Sequence, residues 1–365
     1  MFEGTISRRR FVIGGASVLA AGALALMTGC SAGGTATGAA GTAGAATADA
    51  AQGATASENI TMVWLPDNSS ADLTASREAI GNAITAACGR ETELMTTTDY
   101  NVAIEAIASG SAQMALLGAE GYVQANKKNP KVLAAFTNSD EDGKLDGACY
   151  YSRICVAVEN ADQYKEGNGY SIENIKGKSF SFVSATSTSG FKVPSSAIVS
   201  EFGLDSSDQL LEAGSFFSEV LFGNSHAGSA VNLLSGDADA AAFDDVDVDM
   251  YLDLVSGEAN TIGAVYKAKD DAEAPFDTVR GKKFTIIAIT PVLNAPVCFN
   301  EDAIDEETRS KIVEYFCSDE VADNKAIFID PEDESAQGIF EKESEKSCFV
   351  EVTDDWYEPI RKLGA

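Results

Sequence analysis

"SFVSATSTSGFKVPSSAIVSEFGL", residues 181–204, runs from an apolar stretch through five hydroxyl residues to a glycine, and then into a helical pattern. "SFSFVS" at 179–184 reads as a strand, "ATSTSG" at 185–190 as the connecting loop, and "KVPSSAIVSEFG" at 192–203 as a helix with Pro194 in its first turn and Gly203 at its end. A loop that feeds a helix N-terminus presents unpaired N–H groups and the positive end of the helix dipole, where anions bind. Ser187, Thr188 and Ser189 add hydroxyl donors, and Gly190 lets the backbone approach closely. The same hydroxyls also serve as ordinary helix caps, so the segment alone leaves both roles open.

The same alternation extends on both sides. "TMVWLP" at 61–66 reads as a first strand, after which Ser70 or Asp72 would cap a helix with Leu73, Ile80, Ile84 and Ala87 on one face, stopped at Gly89. Strand "TELMTT", helix "NVAIEAIAS" and strand "QMALLG" follow, with further strands at "KVLAAFT", "RICVAVE", "SFSFVS", "DAAAF" and "FTIIAIT". Strands separated by helices predict an α/β fold. The body from Ile60 onward is about 300 residues, more than one core usually serves, so two lobes are expected.

The N-terminus predicts where the protein works. "SRRRFVI" at 7–13 puts three arginines before an apolar run that ends in "LMTGC". Residues 1–29 read as a signal peptide, with a permanent N-terminal anchor as the alternative. The stretch resembles a bacterial lipoprotein signal, which implies lipidation of Cys30; the "SRRRF" box also resembles a twin-arginine export signal, so the route, Sec or twin-arginine, stays open. Residues 30–58 would be the lipidated cysteine and a flexible tether of Ala, Gly, Thr and Ser, roughly 25 residues with a span near 25 to 30 Å. The expected location is extracytoplasmic, lipid-anchored to the cell membrane.

Composition excludes several classes. With 26 basic and 56 acidic residues the net charge is -30, and losing Glu3 and three arginines with residues 1–29 makes it -32. Such a surface repels nucleic acid and anionic headgroups. Apart from Cys30, six cysteines remain and allow 15 pairings, among which the sequence does not choose. No CxxC occurs and His226 is the only histidine, which argues against a zinc site. There is no GxxxxGK[ST] or GxGxxG motif, so no nucleotide cofactor is expected, and "STSG" is not GxSxG. "DDVDVD" at 244–249 lacks the glycine and terminal glutamate of an EF-hand loop and reads as a solvated acidic turn.

"IKGKSFSFVSATSTSGFKVPSSAI" at 175–198 resembles the signature of the phosphate, phosphite and phosphonate substrate-binding proteins of ABC importers. "TTTDYNVAIEAIASGSAQMALLGAEGYVQA" at 96–125 and "GSFFSEVLFGNSHAGSAVNLLSGDADAAAFD" at 214–244 are similar to that family's other segments, in its order, and the similarity covers nearly all of 60–320. The resemblance implies a two-lobed α/β periplasmic-binding-protein fold of type II, with two hinge crossings and a ligand cleft between lobes. Lobe 1 would be residues 59–152 and 291–365 and lobe 2 residues 153–290, with crossings near Cys149 to Cys155 and Pro291 to Pro296. It implies an anion cradle of Ser187, Thr188 and Ser189, a donor at His226, and Tyr100 and Tyr150 closing from the other lobe; Tyr122, Asp244 and Asn294 are secondary candidates.

Aminophosphonate-binding members are expected to keep an acidic residue about two positions beyond Asp244 and another at the second crossing. Those places read Val246 here, and Asn294 with Ala295. Phosphate, phosphite or a short alkylphosphonate is therefore expected rather than an aminoalkyl ligand. The implied partners are an ABC permease and ATPase, a membrane through Cys30, and no nucleic acid, with the protein a monomer. The alternatives are a binding protein or sensor for another solute, or a secreted phosphoester hydrolase.

Overall fold

The computed structural model describes residues 59–363, apart from 71, 72, 332, 334 and 335. The expected signal peptide, Cys30 and the tether lie outside the described residues. The chain begins with β1 (Ile60–Trp64), α1 (Thr74–Cys88), β2 (Thr92–Thr96), α2 (Tyr100–Ser109), β3 (Met114–Leu116), α3 (Ala119–Lys128) and β4 (Val132–Asn138). Side chains alternate across a strand, so Met62 and Trp64 enter one core with Ile80 and Ile84, while Val63 and Leu65 enter another with Ile104 and Ile107. A sheet buried on both faces must be covered by helices on both, which is what parallel β-α-β units supply. β1 pairs in parallel with β2 and with β3.

A second set follows: β5 (Cys149–Ala157), β6 (Ser179–Phe182), α4 (Val193–Phe202), β7 (Glu219–Phe222), α5 (His226–Ser235), β8 (Ala240–Asp244), β9 (Leu252–Ser256), β10 (Val265–Ala268) and β11 (Lys283–Leu293). The chain then returns through β12 (Val297–Asn300), α6 (Glu306–Phe316) and β13 (Phe349–Glu351). The first sheet has the order β13-β4-β12-β3-β1-β2 and the second β9-β10-β11-β5-β8-β6-β7. β5 and β11 run antiparallel from Phe284 opposite Ala157 to Leu293 opposite Cys149. The chain thus passes between the sheets once on either side of this pair, after β4 and before β12.

The parallel strands set the position of the site. In open α/β sheets ligands lie beyond the carboxyl ends of the strands. Asp67 follows β1, Gly118 follows β3, Ser187 follows β6, His226 follows β7 and Asp247 follows β8. All of them come to one cleft between the two sheets.

Four expectations change. α1 starts after Leu73 without a side-chain cap; the Arg77 guanidinium donates to the carbonyls of Asn68 and Ser70, at 2.7 Å each, and this ties down the segment that carries Ser70, while Asp72 lies outside the described residues. The loop at 185–190 is shorter than expected, because Thr188–Lys192 already forms a π-helical turn continuous with α4. Its cap is Ser187, whose hydroxyl accepts from the Gly190 amide at 3.1 Å. The strands β7, β9 and β10 follow no clean apolar alternation and are not singled out by the sequence; β9 is an edge strand with four exposed residues.

The acidic run is the fourth. It is not a solvated turn: Asp244 and Asp245 are buried. Asp245 accepts from the Tyr151 amide at 2.9 Å and from Asn260 at 2.8 Å. Asp249 takes both terminal nitrogens of the fully buried Arg153, at 2.5 and 2.7 Å. Arg153 also lies over the Tyr266 ring, 4.7 Å from its centroid. These bonds pin the segment between β8 and β9.

Removing one partner of a buried pair leaves an uncompensated charge and costs about 3 to 5 kcal/mol. Asp249 keeps 39% of its side chain exposed, so the lower end applies. Asp249→Ala should lower the unfolding free energy by about 3 kcal/mol in denaturant titration; a change under about 0.5 kcal/mol, the range of neutral surface substitutions, would show that the pair does not hold this segment.

Candidate functional site

The cleft encloses about 100 Å³. That is room for a small molecule rather than a single water. Its lining contains Tyr100, Tyr150, Ser187, Thr188, Ser189, His226, Asp244 and Asn294, so these candidates from the sequence come together. Tyr122 does not line it. That ring is buried in the first lobe's core against Tyr357, with centroids 5.1 Å apart, and its hydroxyl donates to Asp354 at 2.5 Å. Its position on α3 matched the pattern; the direction of its side chain did not.

The local sequence builds the histidine's position from glycines. A Cβ on Gly228 would stand 2.2 Å from the Gly223 carbonyl oxygen, so the turn "GNSHAG" closes only with glycine at both ends. Ser225 caps α5 by accepting from the Gly228 amide at 2.9 Å. His226 is therefore the first residue of the helix, with its ring turned into the cleft and 3% exposed.

The ring's hydrogen bonds determine its tautomer. Nδ1 accepts the backbone N–H of Asp244 at 2.9 Å. In a neutral ring the proton is then on Nε2, which faces Asp244 Oδ2 at 3.3 Å and the hydroxyls of Ser187 and Ser189 at 3.4 Å each. Protonating Nδ1 as well would set two donors against each other. His226 is thus an N–H donor into the cleft.

The hydroxyls are ordered around it. Ser189 donates to Asp244 Oδ2 at 3.1 Å and accepts from the Tyr150 hydroxyl at 3.1 Å. Thr188 Oγ1 accepts the Glu120 amide at 2.8 Å. Tyr100 donates to Asp67, whose other oxygen accepts the His226 amide at 2.5 Å. Asn294 is buried and donates to the Asn138 carbonyl at 3.0 Å, which ties the return of the second crossing to the end of β4.

Three carboxylates line this cleft: Asp67, Asp244 and Asp247. Burial, then the charges of Asp245 and Asp67, pushes the Asp244 carboxyl well above the usual range. Burial, then Asp244 and Asp67, does the same to Asp247. Burial also pushes both tyrosine hydroxyls up, aided by Asp67 at Tyr100 and Asp244 at Tyr150, so both remain donors. Among the described residues the Asp247 carboxylate has no hydrogen-bond partner, and it stands between this cleft and an adjoining cavity of about 120 Å³.

Asp67 and Asp247 escape the sequence reading. Asp67 had one available signal, an aspartate placed just beyond a strand in an α/β pattern. Asp247 was set aside with its acidic run, where charge density alone suggested solvent.

The arrangement limits the chemistry. Asp67, His226 and Asp247 place potential metal ligands within 4.8 Å of one another. They do not fit a metal, because the only ring lone pair of His226 is turned to the Asp244 amide, which leaves the cluster without its imidazole ligand. The same tautomer prevents His226 from acting as general base toward Ser187 or Ser189, since the nitrogen facing them carries the proton. What remains is a buried cradle of donors and acceptors.

Residues 62–357 match the family described as ABC transporter, phosphonate, periplasmic substrate-binding protein. The chain belongs to this family. Its members are substrate-binding components of ABC importers, not enzymes, which makes the protein extracytoplasmic, with a small-molecule ligand and permease and ATPase partners. The Phosphate-import protein PhnD of Mycolicibacterium smegmatis is 28% identical over 237 residues, 61% of this chain and 71% of that one. PhnD1 of Prochlorococcus marinus, solved with methylphosphonate, superposes with a TM-score of 0.60 at 16% identity, covering 84% of this chain and 97% of that one. A phosphonate transporter's binding component from Pseudomonas aeruginosa gives 0.59 at 17% identity, covering 84% and 85%. These likenesses show the two-lobed type II fold. Among the described residues no helix is long and apolar enough to cross a membrane.

The histidine geometry is directly testable because the chain contains a single histidine. In nitrogen-15 NMR of the untagged protein at neutral pH, its signals should report a protonated Nε2 and an unprotonated Nδ1. An Nδ1–H tautomer would contradict the bond from Asp244.

Proposed function

We propose that this protein captures a small phosphorus oxyanion between its lobes and delivers it to an ABC permease. The observation that carries this reading is the meeting of Ser187 Oγ, Ser189 Oγ and His226 Nε2, within 3.4 Å of the ring nitrogen, at a buried point between the two sheets. The lobes would be residues 59–152 with 291–365, and 153–290, hinged where β5 and β11 of the second sheet run on past these bounds toward the first. Tyr100 and Tyr150 support the cradle from its walls. The relative that imports phosphate supports the ligand class. The "LMTGC" sequence and the tether after it support anchoring by lipid at Cys30.

The expectation of an unaminated ligand rests on the missing acidic residues at Val246 and at Asn294 with Ala295, but other carboxylates, Asp67, Asp244 and Asp247, line the cleft. Among the described residues no lysine or arginine lines it. Burial biases Asp244 and Asp247 toward their protonated forms, and ionised carboxylates would repel a fully deprotonated oxyanion, so site and ligand must share a proton. The cleft instead suits a phosphorus oxyanion that brings a hydrogen of its own to Asp247: hydrogen phosphate, a protonated phosphonate, or an aminoalkylphosphonate with its amine toward the adjoining cavity.

Calorimetry on the whole chain tests this. Phosphate and 2-aminoethylphosphonate should bind, sulfate should not, and 2-aminoethylphosphonate should bind at least as tightly as methylphosphonate. Hydrogen bonds to charged groups contribute about 1.5 to 3 kcal/mol, roughly ten- to a hundredfold in affinity. Ser187→Ala should therefore weaken phosphate by about tenfold or more, and Asp247→Asn should weaken 2-aminoethylphosphonate by more than it weakens phosphate or methylphosphonate, because a charged ammonium loses more than a hydroxyl when its acceptor turns neutral. Sulfate binding as well as phosphate, or an unchanged ranking in Asp247→Asn, would overturn the reading.

A further inference from the structure

We propose that Asp67 and Thr188 are positioning residues that hold the clamp shut, each capping from its own lobe the first turn of a helix in the other. The inference rests on the reading of the cleft as the ligand site only where ligands are used to measure it.

Four N–H groups at the start of any helix lack partners within it. α3 begins at Gly118, a residue with no side chain to offer, and no local side chain caps it. The Glu120 amide in its first turn is satisfied by Thr188 Oγ1 at 2.8 Å, from 68 residues away and from the other sheet's loop. A Cβ on Gly118 would lie 2.8 Å from that same oxygen, so the approach depends on glycine. Here the missing cap of one lobe is a side chain of the other.

α5 shows the reciprocal arrangement. Ser225, its own cap, is used by the Gly228 amide. The amide of His226, at the first helical position, donates to Asp67 Oδ1 at 2.5 Å, across 159 residues of sequence. The second oxygen of Asp67 accepts from Tyr100, so the carboxylate is aimed from its own lobe before it meets the helix. A carboxylate at a helix N-terminus is favoured by both the free N–H groups and the dipole. Opening the cleft would return both amides to water, so these two bonds exist only in the closed form. Neither bond needs a ligand atom, and both flank the cradle.

A cap's usual contribution corresponds to about three- to thirtyfold in an equilibrium. Stopped-flow binding with phosphate, methylphosphonate and 2-aminoethylphosphonate as probes should show dissociation faster by about that factor in Thr188→Val and in Asp67→Ala. Association should be unchanged, the factor should be the same for every probe, and Thr188→Ser should restore the parent rate. Amide exchange of the whole chain should quicken at Glu120 in Thr188→Val and at His226 in Asp67→Ala. Losses that differ between probes would make these residues ligand contacts, and unaltered exchange at both amides would remove the latch; either result overturns the proposal. If the parent binds none of the probes, the ligand reading fails, and amide exchange alone decides the latch.

Discussion

When the Asp244 amide donates to Nδ1 of His226, the chemistry of the whole cleft follows from that one bond. It places the proton on Nε2, turns the ring's donor toward Ser187 and Ser189, and removes the lone pair that a base or a metal ligand would need. It also joins the end of β8 to the start of α5, so that Asp244's own carboxylate reaches both Nε2 and the Ser189 hydroxyl. The Nε2–H and the Ser187 hydroxyl are therefore set before a ligand arrives, while Ser189 must turn from Asp244 to reach one, and among the described residues no lysine or arginine lines the cleft. A site of this kind recognises an anion by directed hydrogen bonds rather than by opposite charge, and its carboxylates penalise anions that have no hydrogen to give.

The scaffold around that bond separates what must be rigid from what must move. Each sheet has its own cores on both faces, so each lobe is a packed body. The chain connects them beside the β5 and β11 pair, and across the cleft the polar bonds from Asp67 and Thr188 are joined by Val183, which packs into a core of the first lobe. Few polar bonds across an interdomain surface allow hinge motion, which a capture protein needs in order to load and release. The buried cradle residues are reachable only if the lobes part.

The fold was legible because its signals are local. Alternation in "TMVWLP" and "SFSFVS" reflects strands buried on one or both faces, and Gly89 and Gly203 end α1 and α4 at positive φ, where other residues are strained. The cradle was legible for a similar reason: Ser187 to Ser189 sit between a strand and a helix, and His226 sits in a glycine-bounded turn. The rest depends on contacts that no window contains. Asp67 meets α5 across 159 residues, and Arg153 gives Asp249 a reason to be half-buried that charge counting within "DDVDVD" does not include. Tyr122 failed in the opposite way, since its spacing on α3 was right but its hydroxyl has a partner, Asp354, far along the chain.

The central claim is that Ser187, Ser189 and the Nε2–H of His226 share one anion. A crystal structure of the protein grown with phosphate tests it most directly. The account predicts a tetrahedral anion in the cleft with oxygens about 2.5 to 3.2 Å from Ser187 Oγ, Ser189 Oγ and His226 Nε2, and Nδ1 still bonded to the Asp244 amide. Phosphate bound elsewhere, or in the cleft with His226 turned away from it, would contradict the account.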